Sequence, residues 1–359
     1  MKIADLHTDT VLEIQGGADL RAGNPQGHID LERLQQGGII LQTMACYVSP
    51  VLPQNTSFRA VNVLLDLCYQ TCRINDQYLQ VVEYAKEIEQ VIAANKIAVL
   101  LAVENGSTLE NDLHKLELLR QRKVRYLTIT HSQHLDWALS SAQEQGKRSP
   151  LTSFGKKVIA AMNALDMVID VSHVHESTFW EIIKVAKKPV IASHSNAAAV
   201  CPINRNLTDD QIKAIAGTGG MIGINFYPAF LNIEYYRRQR ERCGELFSQL
   251  DEMELKFMDD PFRKVQAGRE FNQKLVQAMS DMIVGRTSIL DHIDHIIRLV
   301  GDDFVGFGSD MDGIPVLPQD MTGCADYPQI VSDLCDRGYS ISSIEKICYK
   351  NVMRILHSG

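Results

Sequence analysis

The sequence predicts an α/β fold, a closed (β/α)8 barrel of the TIM type with a helical insertion after its seventh strand. Three observations lead there: eight apolar, β-branched runs of strand length, helical patterns between them, and reactive side chains gathered at the ends of the runs. The chain's 359 residues exceed the usual domain size, but barrels with insertions reach it, so one domain over 1–359 is expected.

The strand candidates are 2–8, 39–48, 97–104, 125–131, 167–173, 189–194, 221–227 and 304–310. Eight such runs suit a closed barrel, although periodicity alone also allows a doubly wound sheet. Helical patterns occupy 56–93, 107–121, 152–165, 175–186, 208–217, 286–300, 325–336 and 341–356. The stretch 230–285 is longer and more charged than a βα connection requires and reads as a helical insertion, a cover or an oligomer contact.

Hydrophobic residues make up 45% and charged residues 22%, enough to bury a sizeable core. A net charge of −8 argues against nucleic-acid binding, which needs a basic face. No apolar run has signal-peptide or membrane-span length, so a cytoplasmic protein with no membrane partner is expected. The 8 cysteines lack C-x-x-C pairs and read as reduced, mostly core thiols, Cys68 and Cys72 sharing one helix face.

Six of the eight runs end in or just before a residue able to bind metal or move a proton. In a barrel those ends meet at one mouth. His7 and Asp9 are two apart, so on a strand they face the same side. Alone, an H-x-D pair is more often structural; a second one, His28 and Asp30, follows a loop and reads as a capped turn.

Glu104 closes an otherwise apolar run, where a carboxylate is costly unless paired or metal-bound; the bland alternative is a helix cap. His173 and His194 close two successive runs and add the nitrogen ligands that zinc prefers. Five ligands exceed one tetrahedral catalytic zinc and suit two ions sharing Glu104.

Asp310 ends FVGFGSD, where it could exchange protons with a metal-bound water, while Asp312 fits a turn with Gly313. Gly306 and Gly308 suit a strand close to neighbouring backbone. His131 adds no needed ligand and could stabilise an oxyanion, with His134 a surface or supporting residue. Arg205, in a loop before a helix opened by Thr208, suits a substrate carboxylate, the alternative being an ordinary exposed Arg. His292 and His295 read as structural.

These motifs resemble the membrane dipeptidase (renal dipeptidase) family of metal-dependent hydrolases, nearly end to end. The likeness covers DLHTDT (5–10), AVENG around Glu104, YLTITH (126–131), 153–174, 189–210, INFY (224–227) and VGFGSDMDG (305–313). The resemblance implies two zinc ions, His7 and Asp9 on one, His173 and His194 on the other, Glu104 bridging and taking part in catalysis. It implies a polarising His131, a carboxylate-binding Arg205, an acid/base Asp310 and a substrate contact at Tyr227. The expected reaction is attack of a metal-bridging hydroxide on a dipeptide, L-Xaa-D-Xaa included, by a soluble, bacterial-type member that could form a homodimer. The rivals are another binuclear amidohydrolase, such as a lactonase or β-lactam hydrolase, and a non-catalytic metal- or peptide-binding barrel.

Overall fold

The computed structural model describes residues 1–357. Its strands are β1 (Ile3–Thr8), β2 (Ile39–Tyr47), β3 (Leu79–Val82), β4 (Ile97–Glu104), β5 (Val124–Thr128), β6 (Val168–Asp170), β7 (Val190–Ala192), β8 (Met221–Ile224) and β9 (Val305–Phe307). The parallel order β2-β1-β9-β8-β7-β6-β5-β4 is closed by pairing of β2 with β4, which makes the expected eight-stranded barrel.

β3 is the element the periodicity missed. It pairs with the first half of β4, from Leu79 opposite Ile97 to Val82 opposite Leu100, while β5 takes the second half of the same edge. The expected helical stretch 56–93 is therefore two helices, Ser57–Ile74 and Ala85–Ala93, with a strand between them. Asn75 ends the first helix, its side chain and backbone both donating to the Thr71 carbonyl. The extended run after it then finds the free edge of β4.

Inside the barrel, Ala4, Leu6, Leu41, Ala98, Leu100, Ala102 and Tyr126 belong to one buried cluster, which Val352 and Ile355 of the last helix close off. Small residues alternate with large ones there, as a filled barrel needs. Close approach explains one glycine: a Cβ on Gly308 would lie 1.7 Å from the carbonyl oxygen of Ser193, so no other residue fits.

The insertion is helical, as expected, with helices Pro228–Leu231, Ile233–Ser248, Leu250–Lys256 and Pro261–Ala278. It packs onto the mouth of the barrel. Val265 sits against Gly16, Arg269 pairs with Glu13 at 2.6 Å, and Gln133 donates to Asp251 at 3.2 Å. No helix among the described residues is long and apolar enough to cross a membrane. Seven of the eight cysteines are buried and Cys335 is exposed.

Candidate active site

Several strands stop earlier than their apolar runs suggested. β5 ends three residues before His131, β6 three before His173, β7 two before His194 and β9 three before Asp310. These residues lie beyond the strands and turn over the mouth, Asp310 still donating its N–H to the His7 carbonyl at 2.9 Å. His173 (φ 67°) and Asp310 (φ 63°) reach their places through left-handed backbone, a conformation held at a cost and common at working sites. His7 is re-aimed by a register shift between Asp5 and Thr8, and Asp9 already lies beyond β1, at the start of the helix Thr10–Gln15.

Glu104 is the hub. Its Oε2 lies 3.6 Å from His7 Nε2, and its Oε1 lies 3.1 Å from His173 Nε2 and 3.3 Å from His194 Nε2. His7 Nε2 is also 3.8 Å from Asp9 Oδ2 and 4.0 Å from Asp310 Oδ1. The helix-cap alternative for Glu104 fails, because Asn105 accepts from the Ser107 N–H in that role.

Charge in this cluster is unbalanced. Burial opposes a charged His7, but Glu104, Asp9 and Asp310 outweigh it and raise its pKa to about 10. Asp9 is pushed well above the carboxylate range by burial and by Glu104. His173 and His194 are held well below the usual imidazole value, chiefly by burial, and so offer neutral lone pairs. Their Nε2 atoms are 2.8 Å apart, a contact that strands a lone pair unless a proton or cation lies between. His7 Nε2 and Asp9 Oδ1 are buried without a hydrogen bond. Orphaned donors of this kind, in excess negative charge, fit divalent cations.

Among the described residues, three groups of side chains bring potential ligand atoms within 4.8 Å: Glu104 with His173 and His194, His7 with Asp9 and Asp310, and His7 with Asp170 and His194. The third is a support rather than a site. Asp170 is already saturated, accepting from Thr128 Oγ1 and Ser193 Oγ at 2.6 Å each and from the Ser172 and Ser193 N–H groups. Ser193 in turn contacts His194 Nδ1 at 2.7 Å, and Tyr126 contacts His7 Nδ1 at 2.9 Å, so both rings are oriented from behind.

Around this cluster opens a cavity of about 640 Å³, lined by Asp9, Glu104, His131, His173, Arg205, Tyr227 and Asp310 and roofed by the insertion. Arg205 donates to Ser195 Oγ and to the His194 carbonyl at 2.7 Å each and lies over the Phe230 ring, while its buried Nε has no hydrogen bond. His131 packs between Tyr47 and His173, and burial lowers its pKa. Burial, with Glu104 adding to it, lifts Asp310 to about 6 against the pull of His7 and Arg205. The Tyr227 hydroxyl accepts from Gln239 at 2.6 Å, which leaves its ring for the cavity.

Asp312 and Gly313 form the expected turn, with the Gly313 and Ile314 N–H groups on the Asp310 carbonyl, and the Asp312 side chain also accepts from the His28 N–H at 2.6 Å, while His28 Nδ1 accepts from the Asp312 N–H at 2.9 Å. His134 is tied within its own loop, to Ser140 and Glu144. Asp30 does cap the helix Leu31–Gln36, and Thr208 forms a capping box with Gln211. His292 is buried between Ala197 and Leu231, and His295 meets Asp209 at 2.7 Å.

Sequence reasoning passed over Asn225, Ser195 and Tyr47. Asn225 bonds to Asp310; its only signal was a polar residue just past a strand end, the cue used for the histidines.

The membrane dipeptidase (peptidase family M19) model matches residues 1–358. Human Dipeptidase 3 is 26% identical over 333 residues, 92% of this chain, and the match spans 58% of the length of that protein. A metallopeptidase structure from Rhodobacter sphaeroides, solved with a phosphinate mimic of the dipeptide L-Ala-D-Ala, superposes with a TM-score of 0.82 at 23% identity, over 100% of this chain and 99% of that one. The dipeptidase PvdM structure from Pseudomonas aeruginosa, described as probable, superposes at 0.77 with 21% identity, over 97% and 98%. With its barrel, its cluster of nitrogen and oxygen donors and a match over nearly its whole length, the chain belongs to the membrane dipeptidase family, peptidase family M19.

Proposed function

We propose that the chain hydrolyses the peptide bond of dipeptides, L-Xaa-D-Xaa included, with two zinc ions. His7 and Asp9 would hold one ion, His173 and His194 the other, and Glu104 would serve both. The observation that carries this reading is the division of Glu104: one oxygen addresses His7, the other His173 and His194. Bound there, the ions would supply Lewis acidity and lower the pKa of the attacking water.

The side chains do the rest. Asp310, one oxygen held by Asn225 and the other turned to His7, takes the proton released on attack and returns it to the leaving amine. His131 donates to the carbonyl oxygen as charge develops there. Arg205, oriented by Ser195 and the His194 carbonyl, grips the free carboxylate with its remaining guanidinium N–H donors and so limits the substrate to two residues. The Tyr227 ring forms part of the wall, and the insertion keeps bulk water from the reacting bond. The mimic bound by the Rhodobacter relative is consistent with the D-residue.

The test is turnover of L-Xaa-L-Xaa and L-Xaa-D-Xaa dipeptides and of a tripeptide, with metal analysis on the same sample. Dipeptide cleavage with two zinc ions per chain is expected. Cleavage of lactones or β-lactams alone would favour the other amidohydrolase reading, and no turnover at all a binding role.

A further inference from the structure

We infer that Arg240 selects dipeptides whose C-terminal residue carries an acidic side chain; this rests on the dipeptidase reading, in which Arg205 holds that residue's α-carboxylate. Four cationic side chains line the cavity: Arg205, Arg240, Lys264 and Arg269. Two are already neutralised, Lys264 by Glu254 at 2.5 Å and Arg269 by Glu13 at 2.6 Å. The other two form no ion pair with a carboxylate among the described residues, and each is braced by an aromatic ring instead. Arg205 lies 5.4 Å over Phe230, and Arg240 lies 5.8 Å over Tyr236, donating to that residue's hydroxyl at 3.0 Å. A ring holds a guanidinium in place without cancelling its charge. Two guanidinium groups that no carboxylate holds in an ion pair fit, in one cavity, a ligand with two carboxylates.

The contacts also say which residue of the substrate carries the second one. Phe230, under Arg205, packs edge-on against Tyr227 at 5.0 Å. The Tyr227 hydroxyl is held by Gln239, the neighbour of Arg240 on the helix Ile233–Ser248. Arg205, Phe230, Tyr227, Tyr236 and Arg240 line the same cavity, and we take them as one wall of it. A substrate residue seated with its α-carboxylate on Arg205 presents its side chain along that wall. An aspartate or glutamate there gains a charge-assisted hydrogen bond that asparagine or glutamine cannot match.

Glutamate and glutamine have the same shape, so the charge can be read alone. With metal-loaded enzyme, kcat/KM for Ala-Glu is expected to exceed that for Ala-Gln about tenfold, for whichever stereoisomer at the second position is cleaved faster. Because Arg240 is exposed, added salt should shrink the ratio. In Arg240→Gln the ratio falls to about one, and Arg240→Lys keeps an intermediate value. A ratio near one in the parent enzyme, or one that Arg240→Gln leaves unchanged, overturns the assignment while the dipeptidase reading stands. Failure to cleave any dipeptide overturns both.

Discussion

Asn225 donates through Nδ2 to Oδ2 of Asp310 at 2.8 Å, and this bond decides which carboxylate oxygen is left to face His7. Asn225 is itself immobilised, its backbone N–H and carbonyl bonded to the side chain of Asn196 at 3.0 Å each and its Oδ1 accepting from the Tyr227 N–H at 2.7 Å. Asn225→Ala is expected to lower kcat by roughly 10- to 100-fold and to leave KM and bound metal near their parent values, since only proton transfer loses its geometry. Asp310→Asn should cost more, with metal again retained. Full turnover in Asp310→Asn would remove the proton-transfer role.

If Glu104 serves both ions, its loss should be felt at both positions. Glu104→Gln is expected to purify with close to no zinc, whereas His173→Asn should keep about one ion per chain, because the His7 and Asp9 side remains intact. Elemental analysis after dialysis measures this. One retained ion in Glu104→Gln would argue against a bridge.

His292 predicts an acid-sensitive fold. Its Nδ1 accepts from the Ala197 N–H and its Nε2 donates to the Leu231 carbonyl, both at 3.1 Å, so the ring must be neutral, and burial holds its pKa at about 4. An unfolded histidine titrates near 6.5. The folded state therefore binds fewer protons between these values, and stability is complete above about pH 6.5 and falls as pH drops toward 4. The loss is on the order of 3 kcal/mol over that window. Chemical denaturation at several pH values should give a flatter slope for His292→Asn, together with lower stability at pH 8. Equal slopes in the two proteins would exclude His292 as a source.

The seat of the insertion can be loosened from the barrel side. A Cβ on Gly16 would lie 2.5 Å from Val265 Cγ2, so Gly16→Val must push the helix Pro261–Ala278 outward. Overpacking of this kind costs about 1–3 kcal/mol. Limited proteolysis should cut within 230–285 faster in that variant, and KM for dipeptides should rise as the roof opens. Unchanged cleavage would mean that the roof yields without lifting.

Much of the barrel was legible because each strand is an apolar run with its own turn signals, a local property. β3 was not, since Leu79–Val82 is short and its pairing depends on a free edge of β4 that only the closed sheet exposes. The strand ends were overestimated for a related reason. Apolar residues continue past the strand ends where the chain bends over the mouth, as at Ile129 beyond β5 and Val171 beyond β6, each of which still gives one backbone hydrogen bond to the next strand.

By itself the sequence determined the order of the strands and the residue types at their ends. A histidine or carboxylate closing an apolar run is costly to bury, so Glu104, His173, His194 and Asp310 stood out one at a time. Tertiary structure decided how they meet: which oxygen of Glu104 faces which imidazole, that Asn225 holds Asp310 from 85 residues away, and that Asp312 closes on His28 across 284. It also placed Arg240 in the cavity that Arg205 lines. Such pairings follow from register, from left-handed turns at His173 and Asp310 and from packing between distant segments, none of which leaves a periodic trace along the chain.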